Sequence, residues 1–600
     1  MASISKPAGP LWHASDQDDG YPRPMLRRAG WLSLDGPAGF AHDDADRGIA
    51  EKWWLDGARF RRSIRLPYPP ESAASGIADS APHPVVWYRI EVAAERLAAL
   101  GHEPGRRLLL HFGAVDHEAT VWVDGTRVAN HEGGQTAFAL DITAALRAGG
   151  SPHVIVVRAH DDPRDATQPR GKQTWQDQPH SIWYERCTGI WRPVWLESVP
   201  ALHVERLVWR SSVRRSTVQA EIELAETPGE PVPLHLQLFL RDELLSEIST
   251  TLTGRTTLVD LTLPTGRDLS WSPRHPRLLD ARLSVADDEL GSYLGVREID
   301  VRPQGLFLNG SPVRLRQVLE QCYWPSSLYA APDDTALRRE AELIASLGFN
   351  GMRIHQMTPD PRLLYWADRL GQLVFAEIGA FHEFSHLAAA RLQREWSESV
   401  RAHASHPSIV CWVPVNESWG LPRLARDRDQ ARFATGLAAL TRSLDPSRPV
   451  LSNDGWEHTD SDLVTIHDYT ADPTRLARRY LPDSLHALLS GTALGSARRP
   501  IVLGDTQRTE LPVLLDEFGG IRFARGSSRL GSWGYSTAHT RRGFRRAVAA
   551  LVEAANSSPT LAGWCWTQLT DVRQEANGLC DEQRRPKLPV EQLHAIFGPN

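Results

Sequence analysis

Two glutamates in this 600-residue chain each close a short apolar run. The first lies in Ile409-Val410-Cys411-Trp412-Val413-Pro414-Val415-Asn416-Glu417-Ser418-Trp419-Gly420, the second in Leu511-Pro512-Val513-Leu514-Leu515-Asp516-Glu517-Phe518-Gly519-Gly520. Runs this short and continuous read as strands buried on both faces, as in a parallel sheet. A carboxylate is costly to bury unpaired, so a glutamate ending such a strand belongs at a mouth, where a site can use it. For either glutamate alone, a rim ion pair explains the position equally well. Together they are the groups that cleavage of a glycosidic bond requires. One carboxyl gives its proton to the leaving oxygen, and the other attacks the anomeric carbon or activates water.

The elements that must position these groups emerge from the pattern after residue 303. Apolar runs at 313–318, 351–355, 373–377, 409–415, 450–453, 464–467, 513–516 and 563–567 alternate with helical stretches. Asp333-Asp334 caps a helix that runs to Leu347, and Gly348 closes it. Eight strand–helix units predict a (β/α)8 TIM barrel, whose site lies where the strands end. Glu417 and Glu517 fall at such ends.

Upstream the pattern is all-β. Residues 1–20, rich in Gly, Pro, Ser and Asp, read as a loose tail. Residues 21–200 hold many short strands, among them 85–90, 107–112 and 119–123, and Asp124-Gly125 marks a hairpin turn. This predicts a jelly-roll β-sandwich. Residues 201–302 keep the alternation with fewer tryptophans and fit a smaller immunoglobulin-like β-sandwich, a spacer without chemistry of its own. The fold class is therefore multidomain, with the catalytic barrel spanning 303–600.

Composition is that of a globular chain, 41% apolar and 23% charged, and the formal charge of −6 gives no reason to expect nucleic acid or an anionic membrane as partner. Five cysteines, odd in number and without metal-ligand spacing, suggest free thiols in a reducing compartment. With no apolar stretch fit for a signal peptide or a membrane span, the expected location is the cytoplasm. The 21 tryptophans include rings suited to stacking on sugar faces, though Trp is equally a core residue.

The chain resembles glycoside hydrolase family 2 over nearly everything after residue 30. His111-Phe112-Gly113-Ala114-Val115-Asp116, Val121-Trp122-Val123-Asp124-Gly125, Thr188-Gly189-Ile190-Trp191 and Val194-Trp195-Leu196-Glu197 are similar to the family's sugar-binding domain. Phe307-Leu308-Asn309-Gly310, Gly348-Phe349-Asn350-Gly351-Met352-Arg353 and Trp366-Ala367-Asp368-Arg369-Leu370-Gly371 are similar to its barrel. Asn416-Glu417 is similar to its acid/base signature and Asp516-Glu517-Phe518-Gly519 to its nucleophile strand. The resemblance implies a retaining exo-glycosidase acting on a carbohydrate. Glu417 would be the acid and then the base, with a raised pKa supplied by Trp419 and the charge of Glu517. Glu517 would be the nucleophile, served by Arg353 unless that arginine is a rim ion pair. Asn416 would bond the sugar 2-hydroxyl.

His355 and Glu377 either bind a hydroxyl or hold a loop. His467 and Tyr469 end a strand together, and Tyr469 either steadies the nucleophile or fills the core. Trp566 is a sugar platform or a core ring. Lys172-Gln173 and Trp183-Tyr184 point toward the barrel mouth, with domain packing the favoured reading. The place where many β-galactosidases of the family carry a magnesium-binding, His-rich segment reads Leu319-Glu320-Gln321-Cys322-Tyr323-Trp324-Pro325, so no metal or cofactor is expected. The family's Arg-x-x-His becomes Arg353-Ile354-His355-Gln356, one residue early. The Asn-x-Lys by which glucuronidases read a uronate is absent, and Glu575 stands there instead. A neutral sugar is favoured, bound by Gln321, Tyr323, Trp324, Gln568, Asp571 and Asn577. β-Galactosidase-type activity leads. β-D-Galactofuranosidase or α-L-arabinofuranosidase follows, and a non-catalytic carbohydrate-binding protein is the reading from another class. The sequence leaves open whether the chain forms a homo-oligomer.

Overall fold

The computed structural model describes residues 13–149, 152–504, 510–524 and 531–599. In the N-terminal sandwich, Trp31–Ser33, Val194–Val199, Arg107–Phe112 and Phe138–Asp141 form one antiparallel sheet. It faces a six-stranded sheet ordered Arg62–Leu66, Gly36–His42, Val85–Val92, His153–His160, Glu118–Val123 and Thr126–Glu132. Alternate residues such as Val86, Tyr88, Leu108, Leu110 and Phe112 fill the space between them. Asp124 and Gly125, with φ of 49° and 86°, make the tight turn that Asp-Gly favours between two such strands.

The second sandwich pairs the sheet Val204–Ser212, Thr217–Leu224 and Thr256–Thr262 with one ordered Glu243–Leu252, Val232–Leu240, Leu279–Val285 and Asp288–Leu294. The expected loose tail is anchored from Ser15 onward. Its amide donates to Asp280 Oδ1 at 2.8 Å, and the Gln17 carbonyl accepts from Tyr365 at 2.8 Å. These bonds tie residues 15–17 to the second sandwich and a barrel helix at once; residues 1–12 lie outside the described residues.

The barrel strands are β1 (Leu315–Glu320), β2 (Gly351–Ile354), β3 (Leu373–Glu377), β4 (Ile409–Val413), β5 (Val464–His467), β6 (Val513–Gly519) and β7 (Leu561–Thr567). They pair in parallel in the order β4-β3-β2-β1-β7-β6-β5. The run at 450–453, expected as a strand, forms no ladder. It lies between β4 and β5, joined to the β4 side by isolated bridges, Trp412 to Val450 and Asn416 to Asp454, and to β5 by the His467 amide on the Gly455 carbonyl at 3.4 Å. The cause is local competition for its polar groups. Ser461 Oγ takes the Ser452 amide, and Thr465 Oγ1 takes that of Gly455. Helix α1 (Asp334–Ser346) is capped by Asp333, which accepts from the Ala336 amide at 2.7 Å, and Gly348 with φ 97° ends the turn. Among the described residues no helix is long and apolar enough to cross a membrane.

The first sandwich and the barrel interlock. The amides of Arg170 and Gly171 both donate to the Ala380 carbonyl beyond β3, each at 3.0 Å. In return the amides of His382 and Glu383 donate to the Ala166 carbonyl. Gly171 has φ 59°, and a Cβ there would lie 2.2 Å from the Gln356 carbonyl oxygen, so the approach requires glycine.

Candidate active site

Glu417 follows β4 and Glu517 lies within the C-terminal half of β6, so both carboxyls meet at one end of the barrel. One oxygen of each lies within 4.8 Å of the other, with His467 between them. His467 Nδ1 is 2.7 Å from Glu417 Oε1 and 3.4 Å from Glu517 Oε2, and its Nε2 is 3.5 Å from Asp454.

Glu417 and Ser418 adopt left-handed backbone, φ 52° and 53°, which side chains other than glycine rarely take. The segment that fails as a strand holds them there. The Asp454 carbonyl accepts the Glu417 amide at 3.0 Å, Asn453 Oδ1 accepts that of Ser418 at 2.9 Å, and Ser418 Oγ donates to Glu457 at 2.6 Å. Such strain persists where neighbours over-determine it, and here it aims a carboxyl.

Arg353, fully buried at the end of β2, ties the floor of the site together. It donates to Glu517 Oε1 at 2.6 Å, to Asn416 Oδ1 at 2.7 Å and to Glu377, and pairs with Asp454 at 2.7 Å. Tyr469 donates to the other oxygen of Glu517, and Tyr535 stacks on its ring at 3.4 Å. Trp419 Nε1 donates to Glu417 Oε2 at 3.2 Å and packs edge-on against Trp183 of the sandwich, 4.9 Å between centroids.

The electrostatics differ from the sequence expectation. Burial works to raise the Glu417 pKa, but the hydrogen bond and charge of His467 outweigh it, and the net shift is downward. Burial likewise opposes the His467 imidazolium, yet Glu517, Asp454 and Glu417 raise it well above the ordinary histidine value. The proton expected on the glutamate therefore rests on its neighbour. Burial pushes Glu377 up to about 7 against the pull of Arg353, and burial with Arg353 holds His355 neutral.

Gln321, Gln568, Asn577 and Glu575 are also brought to the mouth, as a chain. Gln321 donates to Gln568 at 2.7 Å, Gln568 to Asn577 at 2.6 Å, and Asn577 to Glu575 at 3.3 Å. Other expected residues are not presented there. Trp566 is fully buried, its edges against Phe518 and Phe597, because its side of β7 faces the helical layer. Trp324 lies under the Arg584 guanidinium at 3.7 Å, and Asp571 is paired with Lys587 at 2.6 Å. Tyr323 donates to Glu185, one layer behind Tyr184. Asp454, Tyr535 and the sandwich residues Lys172, Trp183 and Tyr184 carry more of the site than their sequence suggests. The only signal for Asp454 is its place after the apolar pair Val450-Leu451, before a glycine.

Residues 31–200 match the model of the glycosyl hydrolases family 2 sugar-binding domain, and residues 299–476 that of the family's TIM barrel domain. The chain belongs to glycoside hydrolase family 2. Relatives within the family include a β-galactosidase of Thermoanaerobacter pseudethanolicus, 26% identical over 61% of this chain and 48% of that one. A β-glucuronidase of Canis lupus familiaris is 24% identical over 62% of this chain and 60% of that one. The chain thus matches about half the length of these family 2 relatives. In fold it is similar to a β-glucuronidase from an uncultured Clostridium species, with a TM-score of 0.74, 18% identity, and coverage of 96% of this chain and 98% of that one. A family 2 β-galacturonidase from Eisenbergiella tayi gives a TM-score of 0.73 at 20% identity, covering 96% and 98%.

Proposed function

We propose that this chain is a retaining exo-glycosidase that releases a neutral terminal sugar, of β-galactosidase type, through a covalent glycosyl-enzyme. The observation that carries the reading is the approach of Glu417 and Glu517 within 4.8 Å, with His467 between them, Trp419 donating to Glu417, and Arg353 and Tyr469 donating to Glu517. Retention needs carboxyl groups about 5–5.5 Å apart, while inversion needs roughly 6.5–9.5 Å to admit a water.

Glu517 attacks the anomeric carbon, oriented by Arg353 and Tyr469. Glu417 protonates the leaving oxygen. Its proton is drawn from His467 Nδ1, one hydrogen bond away at 2.7 Å. As Glu517 bonds to the sugar its negative charge disappears, and with it a main support of the imidazolium, so the proton moves toward Glu417 when the leaving group needs it. In the second half Glu417 takes a proton from water, which attacks the glycosyl-enzyme. The Asn416 amide, anchored through its oxygen by Arg353, faces the sugar 2-hydroxyl.

Charge favours a neutral sugar. Glu575, held as an acceptor by the Tyr184 hydroxyl and the Asn577 amide, sets a carboxyl beside the mouth that a uronate would have to approach with its own. The test is a panel of aryl β-galactosides, β-galactofuranosides, α-L-arabinofuranosides and β-glucuronides, with the first-formed anomer read by NMR. Hydrolysis of the galactopyranoside with retention is expected, together with loss of turnover in Glu517→Ala. Turnover of a furanoside alone redirects the reading to that sugar class. An inverted product, or sugar binding without turnover of anything, refutes it.

A further inference from the structure

Lys172 lies in the first sandwich, yet its side chain is directed at the barrel mouth. It is 4% exposed. Its backbone is fixed on one side by the Arg170 and Gly171 amides on Ala380, and on the other by the Tyr184 amide, which donates to the Lys172 carbonyl at 2.8 Å. Nζ sits 5.3 Å from the centroid of Tyr184 and 5.7 Å from that of Trp183. Among the described residues no carboxylate pairs with it within 4.0 Å and no acceptor takes its protons. The ammonium nevertheless acts electrostatically on Glu417, Glu575 and His355. An ammonium on so enclosed a side chain, with no protein acceptor for its protons, favours a ligand that supplies them.

The ring beneath Lys172 also holds Glu575: the Tyr184 hydroxyl donates to Glu575 Oε2 at 2.6 Å. Glu575 in turn is held by Asn577, at the end of the amide chain from Gln321. A donor with no acceptor and a carboxyl acceptor thus stand side by side, on supports from two domains. A sugar hydroxyl is both acceptor and donor, and two adjacent hydroxyls can satisfy both groups at once. A sugar carboxylate would reach Lys172 only by also meeting Glu575.

Resting on the neutral-sugar reading above, we propose that Lys172 and Glu575 form a two-domain clamp for adjacent hydroxyls of the terminal sugar. The sandwich thereby contributes the residue that selects the sugar.

The test uses the full chain as wild type, Lys172→Met, Lys172→Arg and Glu575→Gln. Binding of galactose, arabinose and galacturonate is titrated by calorimetry. Hydrolysis is followed on aryl glycosides and on analogues lacking one ring hydroxyl each. Lys172→Met is expected to weaken binding and lower kcat/KM about 30- to 100-fold on the intact sugar. On the analogue lacking the hydroxyl that Lys172 contacts, wild type and Lys172→Met should turn over alike, which a purely structural lysine would not produce. Lys172→Arg, which keeps the charge and packing, serves if the methionine variant fails to fold, and it should recover part of the activity. A Lys172→Met protein within twofold of wild type overturns the clamp, as does equal discrimination by both proteins against every deoxy analogue, or tighter wild-type binding of galacturonate than of neutral sugars. Wild-type turnover with an indifferent Lys172→Met sinks the clamp alone, whereas no binding and no turnover by wild type sinks the proposed function with it.

Discussion

His467 Nδ1 stands 2.7 Å from Glu417 Oε1, and this contact decides where the site keeps its proton. A buried imidazole is ordinarily neutral and a buried carboxyl ordinarily protonated. Here the surrounding carboxyls reverse the assignment, so that the basic partner carries the charge.

Replacing His467 by Asn should therefore move the alkaline limb of the pH profile. In the wild type the proton is lost only above the raised His467 value, so kcat/KM persists past neutral pH. Without the imidazole the limb reports Glu417 alone and falls at lower pH, by about one unit or more. Initial rates on one aryl glycoside from pH 4 to about pH 10 measure this. An unmoved limb would remove His467 from the proton path.

Glu417→Ala should separate substrates by leaving group. Glycosides of poor leaving groups need the proton and should slow by about 10²- to 10⁴-fold. A dinitrophenyl glycoside, whose phenolate leaves unaided, should slow by no more than about tenfold in its first step. Equal slowing of both in pre-steady-state kinetics would deny Glu417 the acid role.

Gly171→Ala probes the seat of the sandwich on the barrel. The added methyl meets the Gln356 carbonyl oxygen at 2.2 Å and Gly379 Cα at 3.1 Å, both backbone atoms. Overpacking of this kind costs about 1–3 kcal/mol. The Lys172 loop should lift, with activity falling more than about tenfold by the loss of one charged contact. A thermal melt beside steady-state kinetics separates the two effects.

Asp445 offers a test away from the mouth. It accepts from Trp412 Nε1 at 2.8 Å and pairs with Arg448. Burial acts to raise its pKa, Arg448 outweighs it, and the folded value falls from 3.8 to about 2. A depressed folded pKa means that the stabilisation is full above the unfolded value and is lost as pH falls through the folded one. Asp445→Asn should cost about 3 kcal/mol at pH 7, the penalty of breaking a buried pair. The gap to wild type in urea midpoints should narrow between pH 4 and about pH 2.

The glutamates were legible because an apolar run ending in a carboxyl is a rare local pattern with one inexpensive place to sit. Arg353 was legible for the same reason, at the end of 351–355. Trp566 was misread because a strand fixes alternation but not which face meets the helices, and its ring proved to lie on the Phe518 and Phe597 side. The run at 450–453 has a strand's composition, but side chains later in the chain divert its hydrogen bonds, Asp462 taking the Val450 amide and Ser461 that of Ser452. The direction of the Glu417 shift was illegible because it depends on His467, fifty residues downstream, arriving within a hydrogen bond.

The irregular segment beside β4 limits how this barrel can be redesigned. Regularising 450–455 into a full strand would add rungs to the barrel wall, yet it would take back the Asp454 carbonyl and the Asn453 side chain that grip the Glu417–Ser418 kink. Released, that kink would relax toward ordinary extended backbone and turn the glutamate away from its histidine. A sturdier barrel would come at the expense of a misdirected carboxyl.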